Sequence, residues 1–250
     1  MALDLEAGSS QYVHYGDSFD SVVGGADKKF SLAGTFTAES LGGSRGIVGK
    51  NTQVVVFTGD IGIETQLLFI YRLSGAAEVY LRFPDTPLSP GTLYRWAIAY
   101  DGSVDSSETD RLRCAINGVM QTVTVEYTLG FPFDIAANTA SRWIVGAFEG
   151  PTLYSDGSYS DFALWEDELL TDAELLAYSR GYEAALIRPE KLVWAPRFVR
   201  DALDPRGATA TLVGSPVFVS HPRVLEVPRP RSLRTRSGSC AWNGEGRFGT

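Results

Sequence analysis

The chain has 250 residues, 44% apolar and 21% charged, which is ordinary for a soluble globular protein with a full-sized core. Its net charge of -8 hides a split. The last thirty residues hold six arginines against two glutamates, which leaves 16 basic and 28 acidic groups on residues 1–220. An acidic body argues against nucleic acid as the main partner, and no apolar run approaches the ~18–20 residues of a membrane span.

Met1 to Glu6 is acidic and lacks a cationic-then-apolar signal pattern, so synthesis in a cytoplasm is expected. Residues 1–10 read as a flexible lead-in. Strands are predicted at Gln11–Tyr15 and Phe30–Thr37; in the second, Phe30, Leu32, Gly34 and Phe36 share one parity. Gly42-Gly43 turns the chain into Arg45–Lys50 and Val54–Phe57, followed by Gln66–Leu73 and Glu78–Phe83 around a turn at Gly75-Ala76-Ala77. Pro84, Pro87 and Pro90 mark an ordered loop, since proline cannot donate to a strand ladder.

The next stretch is the most informative. Trp96, Ile98 and Tyr100 alternate with Ala97 and Ala99, the period-2 pattern of a strand with one large-residue face. An acidic, Ser-rich loop at 101–110 leads to a second strand, Leu112–Ile116, and then to Asn117-Gly118. That dipeptide suits a type I′ turn, in which both central residues take positive φ. Further strands are predicted at Gln121–Tyr127, Arg142–Phe148 and Ser158–Trp165, with 128–141 irregular. One helix is predicted near 171–180: Thr171 and Glu174 form a capping box, and Gly181 supplies the stop. Short β segments follow at Leu192–Ala195, Ala208–Val213 and Pro216–Val219. From His221 onward three prolines and six arginines read as an extended arm.

Short strands at roughly ten-residue spacing, with no helices between them, predict an all-β, two-sheet antiparallel β-sandwich. The expected organisation is a lead-in (1–10), a sandwich (11–190), a β extension (191–220) and the arm (221–250). Cys114 lies in a predicted strand and Cys240 in the arm; a buried thiol at Cys114 is expected, and no disulfide scaffold is implied.

The ordered set Phe30–Thr37, Gly46–Lys50, Leu93–Gly102, Leu112–Val119, Trp143–Ala147 and Tyr159–Trp165, leading through Leu169-Leu170-Thr171 to Leu175, resembles the laminin-G-like/concanavalin-A-like family over about residues 10–185. The resemblance implies a lectin-like jelly-roll sandwich. Arg188-Pro189, Val193-Trp194-Ala195-Pro196, Thr211–Pro216 and His221-Pro222 resemble the endings of such modules among tailed-phage structural proteins. This implies a place in the virion, with other virion proteins as partners: the major capsid protein or further copies of this chain in a homo-oligomer.

Glycoside hydrolases on related folds use two carboxylates about 5–5.5 Å apart on one strand face for retention. Glu166-Asp167-Glu168 places acids consecutively, so neighbours point to opposite faces, and a solvated turn is the better reading. His14 and His221 fall in no nucleophile constellation, and no Gly-rich loop has phosphate-binding spacing. Two distant cysteines and two histidines do not make a zinc site. No cofactor is expected except calcium, for which Asp101, Asp105, Asp110 and Asp156 are loop candidates of the right ligand type. Gln66, Asn117 and Asp161 do not amount to a sugar pocket by spacing alone.

In the arm, Arg229, Arg231, Arg234 and Arg236 suit docking on an acidic surface, with Trp242 and Phe248 as anchors. The leading expectation is therefore a non-enzymatic virion structural protein, a capsid decoration or cement protein. The alternative is a carbohydrate-binding adhesin, a tail-fibre or head-fibre module that recognises host glycans.

Overall fold

The computed structural model describes residues 2–50, 53–61, 64–72, 78–127, 134–137, 140–148, 153–196, 198 and 206–220. The predicted Gly75-Ala76-Ala77 turn, His221, Cys240 and the whole 221–250 arm lie outside the described residues, and with the arm Arg229, Arg231, Arg234, Arg236, Trp242 and Phe248.

The described chain forms two antiparallel sheets of eight strands each. The first is built from β1 (Ala2–Leu5), β3 (Lys29–Ala38), β8 (Leu93–Asp101), β9 (Leu112–Ile116), β10 (Val119–Met120), β13 (Gly157–Glu166), β14 (Leu192–Trp194) and β16 (Val217–Val219). Its order is β10-β9-β8-β3-β13-β1-β16, with β14 also on β13. The second holds β2 (Tyr12–His14), β4 (Arg45–Lys50), β5 (Val54–Ile61), β6 (Glu64–Arg72), β7 (Glu78–Phe83), β11 (Thr124–Tyr127), β12 (Trp143–Val145) and β15 (Thr211–Val213), in the order β11-β7-β6-β5-β4-β12-β2-β15. Two α-helices are described, the short α1 (Asp20–Val23) and α2 (Asp172–Ser179). The predicted all-β sandwich is the architecture found.

The alternation read from sequence sets the layers. Trp96, Ile98 and Tyr100 face the other sheet and are buried, while Ala97 and Ala99 face outward. The shared interior holds Phe30, Phe36, Phe69, Tyr71, Trp143 and Trp194, and the Trp143 and Trp194 rings meet edge to face at 5.5 Å. Strand β8 pairs with β9, Trp96 opposite Ile116. Asn117 and Gly118 then turn the chain into β10 with φ of 48° and 79°, as the type I′ reading requires.

The outer face of the first sheet is small: Ala33, Ala97, Ala99, Ala115 and Ala163 make a bed on which α2 lies, its Leu175 and Tyr178 packed with Trp165. The Thr171–Glu174 capping box is present, and Gly181 follows the helix with φ of 100°.

The lead-in expected at residues 1–10 is corrected. Ala2–Leu5 form β1 between β13 and β16, with Leu3 and Leu5 fully buried. The Leu3-Asp4-Leu5 alternation is itself a strand pattern, and the ladder satisfies backbone groups that β13 would otherwise leave open.

Candidate functional site

The β13–β3 ladder of the first sheet is interrupted once, within β13. Ser160 pairs with Thr35 and Ala163 with Ala33, so Asp161 and Phe162 together oppose Gly34. This is a β-bulge, one extra residue on one strand, and Asp161 adopts φ of 51° there. The inserted residue switches the parity. Tyr159 faces the core, and after the bulge Phe162 and Leu164 do. The Phe162 ring stacks on Trp194 at 5.8 Å and lies directly over Gly34. A Cβ at position 34 would sit 2.5 Å from that ring and 2.9 Å from Trp96. Glycine is therefore what allows Phe162 to turn inward, and the turn leaves Asp161 half-exposed on the outer side.

Asp161 opens into a cleft of about 590 Å³, within the roughly 300–1,000 Å³ range of small-molecule sites. Besides Asp161 and Phe162 it is lined by Glu183, Ala184 and Ala185 from the chain after α2, by Leu192 of β14 and Ala195, and by exposed Arg206. A smaller recess shares Asp161, Glu183 and Ala184 and adds Thr35, Arg95, Tyr178 and Tyr182. The site is held from behind. The Tyr178 hydroxyl donates to the Asp161 carbonyl, and burial, followed by the Asp161 charge, pushes the Tyr178 phenol well up. Tyr178 thus remains a neutral donor at any ordinary pH. Gly181 would bring a Cβ within 3.2 Å of the Arg95 guanidinium, so the chain passes close against it before reaching Tyr182. Arg206 donates to the Pro189 carbonyl at 2.8 Å. Tyr182, which lines the small recess, is 39% exposed.

The calcium candidates are not assembled. Asp101 accepts from the Ser103 amide and hydroxyl and pairs with Lys29 at 3.5 Å. Asp105 reaches buried Arg111 at 3.4 Å, and Asp110 accepts from Ser106. Asp156 lies elsewhere, accepting from Ser40 and the Ala7 amide. Among the described residues no three His, Cys, Asp or Glu side chains are placed to hold a metal.

Glu168 is paired with Arg188 at 2.5 Å, in a cluster that also holds Glu174, whereas Glu166 closes β13 opposite Phe30. Cys114 is a buried free thiol whose pKa burial raises. His14 sits in β2 with its pKa lowered by burial and by Arg142. Gln66 lies in β6 and Asn117 in the β9–β10 turn, where its side chain accepts from the Arg95 amide at 2.8 Å; neither is among the residues that line the cleft or the recess. Of Gln66, Asn117 and Asp161, which spacing alone does not join into a sugar pocket, Asp161 lines the cleft. Its partners Glu183 and Arg206 carry no motif spacing.

The described residues thus form a two-sheet antiparallel β-sandwich with a cleft at a bulge of the first sheet. No protein-family model and no curated protein sequence matches the chain. Among solved structures it is similar to a putative carbohydrate-binding protein from Bacteroides ovatus, with a TM-score of 0.56 and 16% identity over 86% of this chain; it spans 60% of that protein's length. It is also similar to the CBM40 module of a Ruminococcus gnavus IT-sialidase bound to α2,3-sialyllactose, with a TM-score of 0.50 and 15% identity over 71% of this chain and 95% of that one. The enzymatically active domain of bacteriophage CBA120 tailspike protein 2 matches at a TM-score of 0.46 and 12% identity, over 69% of this chain and 27% of that one, which is too distant for any argument. At these identities the likeness is one of fold. No helix among the described residues is long and apolar enough to cross a membrane.

Proposed function

We propose that the chain is a non-catalytic carbohydrate-binding module and that sugar occupies the Asp161 cleft. The observation that carries this is the β13 bulge, which turns a carboxylate out of the sheet into a cleft of small-molecule size. Sugars present hydroxyl donors and acceptors on their edges and apolar C–H faces. The cleft is lined by the acidic Asp161 and Glu183, by Arg206 and by the apolar Ala184 and Leu192, and the small recess that shares Asp161, Glu183 and Ala184 with it adds Tyr182. A fold shared with carbohydrate-binding proteins supports the reading. In the virion setting that the family resemblance implies, such a module is a host-glycan adhesin. The capsid-decoration reading rests on an arm outside the described residues; the adhesin alternative has the cleft and the similar folds in its favour.

The test is a glycan array followed by titration calorimetry of the glycans retained. Binding is expected, weakened about tenfold by Tyr182→Ala, in line with the ~1.4 kcal/mol a lost aromatic contact represents. A chain that retains no glycan, or whose Tyr182→Ala variant binds as well as the parent, defeats the proposal.

A further inference from the structure

We propose that Lys50 and Asp17 condense to an intramolecular amide, with Asp20 as the carboxylate that moves the proton. The site belongs to the second sheet and stands apart from the glycan cleft.

Lys50 ends β4 opposite Trp143 of β12 and Val54 of β5, and both of those partners belong to the core. Residues directly opposite across antiparallel strands share a face, so the Lys50 side chain enters the interior between the sheets. It is wholly buried. There the ammonium donates to an Asp17 carboxylate oxygen in a short hydrogen bond, meets an Asp20 carboxylate oxygen at 2.8 Å and reaches the Ser18 carbonyl at 3.5 Å. Phe19, between the two aspartates, packs its ring edge to face on Trp143 at 5.3 Å. A lysine nitrogen is thus held against two carboxyls at the edge of an aromatic cluster.

In water an ammonium and a carboxylate resist condensation, because both charges are well hydrated. Lys50 has lost that hydration. Keeping a charge buried is costly, and a neutral amide removes it. Contact supplies the proximity, since the carboxyl carbon lies one bond beyond the oxygen that accepts from the nitrogen. The Asp17 side chain is 52% exposed, which gives the released water a way out. Asp20, at 22%, is the more enclosed of the two and stays behind as the relay.

The Lys50 hydrogen bond lowers the Asp17 pKa, so the resting pair is ionic. One proton passes from the ammonium to the Asp17 carboxylate, leaving a neutral amine and a carboxylic acid. The amine lone pair attacks the Asp17 carboxyl carbon, and the C–N bond forms. Asp20 takes a second proton from the nitrogen and delivers it to the departing hydroxyl, so the C–O bond breaks and one water leaves. Lys50 keeps one amide N–H, and Asp20 ends as the carboxylate it began as. The step consumes no oxidant, reductant or co-reactant. The bond closes a ring of chain from residue 17 to residue 50 that contains β3 of the first sheet and fastens it to β4 of the second. Such a link restricts the unfolded chain, as a disulfide does.

The experiment is denaturing intact-mass spectrometry of the purified full chain, followed by tryptic mapping, for the parent, Lys50→Met, Asp17→Ala and Asp20→Ala. The parent is expected to be lighter than its sequence by one water. Lys50 should resist trypsin, and its peptide should be joined to the one carrying Asp17, with fragmentation placing the link at that residue. Lys50→Met and Asp17→Ala should keep their full sequence masses, and Asp20→Ala should be mostly unlinked. Chains lacking both carboxylates or lacking Lys50 form no bond, so they differ in whether an ammonium is left buried.

A parent of full sequence mass overturns the proposal, whether or not the variants fold. A lost water confined to one linear peptide, as a succinimide leaves it, overturns it too. A link mapped to Asp20, or complete linking in Asp20→Ala, overturns the roles given to the two carboxyls.

Discussion

Gly34→Ala probes the packing that creates the site. A Cβ at position 34 would lie 2.5 and 2.6 Å from two atoms of the Phe162 ring and 2.9 Å from Trp96. Both rings are almost fully buried, and Phe162 is further fixed by Tyr159, Trp194 and Phe198 at 5.8–6.4 Å between ring centres. Neither ring can swing into solvent, so the strand or the bulge must shift. Overpacking of this kind costs about 1–3 kcal/mol, offset by roughly 0.4–1 kcal/mol from the stiffer unfolded chain. The net loss is about 1–2 kcal/mol, which at this chain length lowers Tm by roughly 2–8 °C. Thermal unfolding followed by near-ultraviolet circular dichroism reads both the midpoint and the aromatic environment. Phe162→Ala alone should cost about 3–5 kcal/mol. In the double variant most of the Gly34→Ala penalty should vanish, giving a coupling energy well above the few tenths of a kcal/mol seen for independent sites. A Gly34→Ala chain as stable as the parent, or strictly additive effects, would refute the account of the bulge.

Lys50 is completely buried in β4 and meets Asp17 and Asp20, the second at 2.8 Å. Asp17→Asn with Asp20→Asn leaves that ammonium without its carboxylates and should destabilise the fold, whereas Lys50→Met, which removes the buried charge, should cost less in the same urea titration. The reverse order would show that the ion pair is not what compensates the lysine. A second prediction concerns pH. Asp4 is raised by burial and by Asp156, and Glu39 by burial and by Asp4, Glu6 and Asp156. A carboxyl with a raised folded pKa favours the fold while protonated and loses that contribution as pH rises through its folded value. Asp4→Asn and Glu39→Gln should therefore stabilise at pH 7, and the gain should disappear below about pH 4, where both states are protonated. A gain that persists at pH 3 would contradict a charge origin. Cleavage is a third check. A non-catalytic module should release no reducing sugar from the glycans it retains, and a release abolished by Glu183→Gln would turn the reading towards hydrolysis.

The sandwich was legible because its signals are local. Trp96, Ile98 and Tyr100 alternate within five residues, Asn117-Gly118 encodes its turn in two, and Thr171 with Glu174 caps α2 within four. The cleft was not legible because it joins residues from Thr35 to Arg206 that no period connects. Two signals did exist. The large apolar residues of Tyr159-Ser160-Asp161-Phe162-Ala163-Leu164 change parity between Tyr159 and Phe162, which an unbroken strand cannot do without exposing one of them. Gly34 sits alone inside a predicted strand, a mark of a bulge or a close approach. Each is weak by itself, and only their pairing across 127 positions, 34 with 161, makes them one feature. Lys50 was unreadable for the same reason, since its burial depends on carboxylates about thirty residues earlier in the chain.

The bulge also separates stability from recognition. Asp161 lies on the outer side of the residue pair that Gly34 accommodates, whereas Lys50 belongs to the second sheet and to the Asp17–Asp20 loop. If the cleft binds sugar because the bulge aims Asp161, Gly34→Ala must weaken glycan binding at temperatures where the variant is still fully folded. The Asp17→Asn/Asp20→Asn pair, destabilising through the second sheet, must leave binding by folded protein unchanged. Loss of affinity that simply follows loss of stability in both would place recognition outside this cleft. Loss confined to the Gly34 variant ties it to the β13 bulge that Gly34 faces.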